Sequence, residues 1–71
     1  MEEYKAIKTI QRMFADEVVS WNTFLILTGP MRMLSLEERE DRAKVLIDII
    51  NQKKTDEAVL EEARRLHLIK V

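Results

Sequence analysis

His67 is the only histidine in the chain, so any nucleophile and base pair, or any imidazole-ligated metal, would have to be built on it. A di-metal helical bundle places a glutamate three residues before such a histidine, and here that position is Arg64. The absence of cysteine removes thiolate chemistry, disulfides and the Cys-containing zinc sites together. The densest run of ionisable groups is Glu37-Glu38-Arg39-Glu40-Asp41-Arg42. Paired carboxylates can hold a cation or exchange a proton, but two arginines neutralise part of this run. It also falls in the first turns of a helix, where acids match the dipole. Gly29 is the sole glycine, which rules out a glycine-rich phosphate loop. These types and spacings predict no catalytic centre, no metal site and no cofactor, and the chain is expected not to be an enzyme.

The elements that would position any site are read from the apolar periodicity. Apolar residues make up 46% of the 71 positions and charged residues 35%, a mixture that leaves little for loops and suits helical bundles. Ile7, Ile10, Phe14, Val18, Trp21 and Leu25 recur every three or four residues, which predicts one long helix over about 3–27. Residues 18–27 also carry a rival strand pattern, because Val19, Trp21, Leu25 and Leu27 alternate. No second convincing strand exists to pair with it, so the helix is preferred.

Thr28-Gly29-Pro30 then ends the segment, with glycine expected in the left-handed conformation that follows a helix. Ser35-Leu36-Glu37-Glu38 is a capping box that starts a second helix over about 35–51. Leu36, Ala43, Val45, Leu46, Ile47, Ile49 and Ile50 cover an arc of roughly 200°, so this helix requires two neighbours. Gln52-Lys53-Lys54 forms a tight turn, and Thr55 caps a third helix over about 55–68. Ile69-Lys70-Val71 is expected to fray or to add one short extended contact. The expected fold is all-α: a long N-terminal helix and a helical hairpin in one domain spanning 1–71, completed by self-association.

Surfaces carry more functional information than chemistry does. Phe14, Trp21 and Phe24 are large anchors for so small a core. At 1.5 Å per residue the first helix would be about 37 Å long and the others about 24 and 20 Å, so the hairpin would leave part of its stripe uncovered. Met31 and Met33 add adaptable apolar contact in a connector that would ordinarily be polar. Arg39 and Arg42 intrude on the apolar arc of the second helix. Their stems can cover Met31 or Met33, or their heads can hold a carboxylate, either a partner's or Glu17, which interrupts the first stripe in the same way.

The expected function is therefore a non-catalytic protein–protein interaction module: a small adaptor, inhibitor or assembly subunit. It would act with a protein partner or as a homodimer or small homo-oligomer. A helix-turn-helix DNA-binding regulator is the alternative, since the turn between the second and third helices has a suitable length. The would-be recognition helix opens Asp56-Glu57, and the net charge is −1, so nucleic acid is disfavoured. An acidic N-terminus and no apolar run near 20 residues point away from a signal peptide and a membrane span, and a cytoplasmic protein is expected.

Overall fold

The computed structural model describes residues 4–69, and every regular element among them is helical. These are α1 (Lys5–Ala15), α2 (Trp21–Thr28), a 3-10 turn (Gly29–Met33), α3 (Leu36–Gln52) and α4 (Asp56–Arg65). The all-α expectation holds, and no strand forms over 18–27. The expected start at Glu3 and the expected contact of Lys70 and Val71 lie outside the described residues.

The single helix expected over 3–27 is in fact two, and the break has a local cause. Asp16 and Glu17 place two acids at a helix C-terminus, against the dipole, and Val18-Val19 follow with poor helix propensity. The chain turns out through Glu17 in the left-handed conformation, φ 57°. Its N–H donates to the Phe14 carbonyl at 2.9 Å, and the Val18 N–H donates to that of Met13 at 3.0 Å, the two bonds of a Schellman turn. Ser20 then starts α2 as an N-cap, accepting the Thr23 amide at 3.3 Å.

The third predicted helix also stops early, through the same kind of turn but with basic rather than acidic residues in its last turn. α4 ends at Arg65, and His67 takes φ 60° with its N–H on the Arg64 carbonyl and the Leu68 N–H on that of Ala63. Left-handed residues thus stand at Tyr4, Glu17 and His67, not at the glycine. Gly29 has φ −52° and carries the helical path into the 3-10 turn. Its part is to sit in the right-handed region directly before Pro30, where any Cβ would meet the proline ring.

Other sequence signals hold as read. Ser35 and Glu38 exchange both bonds of the capping box, and Thr55 accepts the Ala58 amide. Ala43, Leu46, Ile49 and Ile50 of α3 are buried, and α3 has the two neighbours its wide arc requires, α1 and α4. They meet Ala6, Ile10, Val59 and Ala63 in the main core, with Leu27, Met31 and Ile69 closing it.

Charged side chains then tie helix ends together across the core. Glu40 of α3 accepts the N–H of Ala6 at 2.8 Å and of Ile7 at 3.1 Å, capping α1 from outside its own helix. Asp56 at the start of α4 accepts the Ser20 N–H at 3.1 Å and the Thr23 hydroxyl at 3.0 Å, so the N-termini of α2 and α4 lie together. Their C-terminal ends also lie together, with Ile26, Gly29 and Pro30 facing His67, Leu68 and Ile69 across a shallow groove. α2 and α4 therefore run parallel.

Candidate functional site

Phe14, at the end of α1, and Trp21 and Phe24, on α2, converge across the corner between the two helices. The Phe14 and Trp21 ring centroids are 4.4 Å apart and tilted by 45°, and those of Phe14 and Phe24 are 4.3 Å apart and nearly parallel. Trp21 and Phe24 are 6.3 Å apart. Such offset pairs add about 0.5–1.5 kcal/mol each beyond the area they bury. They hold the α1–α2 corner in one shape. The cluster is not sealed, because Trp21 remains 58% exposed.

The remaining surface of α2 explains why. Thr23 and Leu27 point into the core, while Trp21, Leu25 and Ile26 face outward and are exposed, with Val18 beside them at the preceding turn. Only Asn22, Thr23 and Thr28 are polar in the whole helix, so α2 lacks the polar face that a surface helix ordinarily shows to water. The open surface therefore arises differently from expectation. It does not come from a long helix overhanging a short hairpin, since α1 and α2 have 11 and 8 residues, but from a short helix whose outward side is apolar except for Asn22.

Two shallow grooves flank this helix. At its N-terminal end Phe14, Val18 and Trp21 share a groove of about 670 Å³ with the carboxylates of Glu17 and Asp56. Hydrogen bonds from Ser20, its side chain first and its backbone second, outweigh partial desolvation and hold the Asp56 carboxyl below its ordinary range, with Thr23 adding to the effect. At the C-terminal end the groove bounded by Ile26, Pro30 and His67 has a volume of about 580 Å³.

The other predicted contact residues have separate placements. Met31 is buried in the core, whereas Met33 is 90% exposed. The Arg39 Nε donates to the carbonyls of Met31 and Leu34 at 3.0 and 3.1 Å, and its Nη2 to that of Arg32 at 3.1 Å. Arg42 donates to the Leu68 carbonyl at 3.3 Å. Both arginines therefore bind carbonyls at or just beyond the ends of helical elements of their own fold. The Glu17 side chain makes no hydrogen bond or ion pair among the described residues.

Sequence reasoning missed Leu25 and Ile26 as surface residues and missed Glu40 and Asp56 as inter-helix caps. The first omission had a signal: taken as an isolated helix, 21–28 has no polar side. The second has none, because a carboxylate's bond to the main chain of another helix leaves no local spacing to read. Among the described residues the ion pairs that form are Asp41 with Lys44 at 4.0 Å and Glu62 with Arg65 at 2.6 Å.

Among the described residues no three His, Asp or Glu side chains gather in a metal-holding group, and no helix is long and apolar enough to cross a membrane. No family model, no curated protein and no solved structure matches this chain.

Proposed function

We propose that the protein is a non-catalytic interaction module that works by burying the outer face of α2 against another protein chain. The observation that carries this reading is the composition of α2, which is apolar on the side facing water as well as on the side facing the core. Helices of that kind belong to interiors, and an interface supplies the missing interior. Trp21 is suited to be the principal contact. It is large, half its surface is already fixed by Phe14 and Phe24, and docking it costs little side-chain entropy.

The role fits an adaptor, inhibitor or assembly subunit, whose action is to occupy a surface. The DNA-binding alternative gains nothing from the geometry. The N-terminal turn of α4, which would have to enter the major groove, carries Asp56 and Glu57, and Asp56 is fastened to α2.

The test is affinity capture from the source cells with wild-type protein, Trp21→Glu and Leu25→Glu, each first shown to retain its helical circular dichroism. A protein retained by the wild type and lost by both variants is the expected result. Capture that is indifferent to both substitutions, together with self-association that is also indifferent, would remove α2 as the working surface.

A further inference from the structure

The interaction reading leaves the partner open, and the charges around α2 narrow it. Because α2 and α4 run parallel, their ends define two poles of one face. At the N-terminal pole stand Asp16 and Glu17 in the turn leading to α2 and Glu57 at the start of α4, all exposed. At the C-terminal pole stands Arg64, near the end of α4, with Arg32, in the 3-10 turn that leaves α2, on the α1 side of the same pole; both are exposed. At 100° per residue Asp56, Glu57, Leu60 and Arg64 fall within an arc of about 100°, and Asp56 is bonded to Ser20, so Glu57 and Arg64 share the α2 flank of α4. Lys54 offsets part of the acidic charge but does not reverse it. The apolar residues Trp21, Leu25 and Ile26 lie between the poles.

We propose that the partner is a second copy of this chain, joined antiparallel through α2 about a two-fold axis beside Leu25, with the acidic pole of each copy against the basic pole of the other. A face that is acid at one end, apolar in the middle and basic at the other is complementary to itself when rotated by half a turn. That is the condition for a closed, isologous dimer. Antiparallel packing also opposes the two helix dipoles.

A separate observation concerns Glu17. A Schellman turn favours glycine at this left-handed position, and a residue with a Cβ is strained there. Among the described residues the glutamate side chain makes no hydrogen bond in return. It lines the same groove as Trp21, where the second copy's Arg64 or Arg32 would meet it. One short helix makes a small interface, so the dimer is expected to dissociate in the micromolar range.

This inference rests on the α2 reading and is tested apart from it. Sedimentation velocity from about 1 μM to about 1 mM should show a monomer–dimer equilibrium in the wild type. Glu17→Lys and Arg64→Glu should each weaken it by about tenfold or more, and mixing the two variants should restore it, because a mixed pair places opposite charges at both contacts. Leu25→Cys, the only thiol in that chain, should form a covalent dimer on mild oxidation. A wild type that stays monomeric throughout, or variants whose mixture recovers nothing, overturns the antiparallel dimer. If Trp21→Glu then still abolishes capture of another protein, the interaction reading stands with a different partner. If Trp21→Glu changes neither association nor capture, both fall.

Discussion

The carboxylate of Glu40 accepts the backbone N–H of Ala6 at 2.8 Å, joining the second turn of α3 to the first turn of α1 across 34 residues. Among the described residues no side chain caps α1 locally: Tyr4 at its N-cap lies in the left-handed region and its side chain makes no capping bond. Glu40 therefore does for α1 what an N-cap residue ordinarily does. Glu40→Ala is expected to cost about 1–2 kcal/mol in urea unfolding, more than Glu40→Gln, which keeps one acceptor oxygen. An Ala6 amide that exchanges no faster in the alanine variant would contradict the assignment.

Arg39 gathers three carbonyls from the 3-10 turn and its exit with one planar guanidinium. A lysine has neither the fork nor the second nitrogen needed to reach them together. Arg39→Lys is thus expected to lose about 1–2 kcal/mol, close to Arg39→Ala, rather than to behave as a conservative change. Equal stability of the lysine variant and the wild type would show that charge alone suffices.

Asp56 sets a pH dependence whose sign follows from its lowered carboxyl. A group that ionises more readily when folded contributes stability above its unfolded value, and the contribution is lost as pH falls through the lower folded value. Stability should therefore be flat above about pH 5 and decline below about pH 4. Glu38, held down by the amide and then the hydroxyl of Ser35, moves in the same direction. Asp56→Asn should flatten this acid limb in urea titrations at successive pH values. An unchanged slope would place the acid sensitivity elsewhere.

His67 occupies the left-handed position of the turn that ends α4, and its strain can be relieved without touching the core. His67→Gly is expected to raise stability by about 0.5–1 kcal/mol, the relief of the Cβ clash exceeding the entropy that glycine gives the unfolded chain. A thermal melt with a lower midpoint would mean that the imidazole makes a contribution of its own.

Much of the fold was readable where the signal is local. Ser35 and Glu38 announce a helix start because both halves of the bond lie three residues apart, and the arc from Ala43 to Ile50 announces two neighbours. The break after Ala15 was hidden because the apolar spacing from Phe14 through Val18 to Trp21 continues across it at helical intervals. Ser20 is followed by Thr23 instead of a glutamate or glutamine, which weakens the capping signature. The corner itself brings the three rings together: on a straight helix Phe14 and Phe24 would stand about 15 Å apart along the axis, whereas their centroids are 4.3 Å apart. The caps made by Glu40 and Asp56 depend on which helix ends meet in space, and no local spacing encodes that.

Glu40, Arg39, Arg42 and Asp56 all reach main-chain atoms. Apart from the bond between Asp56 and the Thr23 hydroxyl, each such link asks for a particular side chain on one end only. In a saturation mutagenesis of the chain, these four positions should stand out as intolerant columns. Ala6, Ile7 and Ser20, whose amides are the donors, should reject proline for the sake of the link, and no compensating pair should emerge between the two ends. The connectivity of this fold is thus inherited through single residues, and a search for coupled substitutions would pass over it.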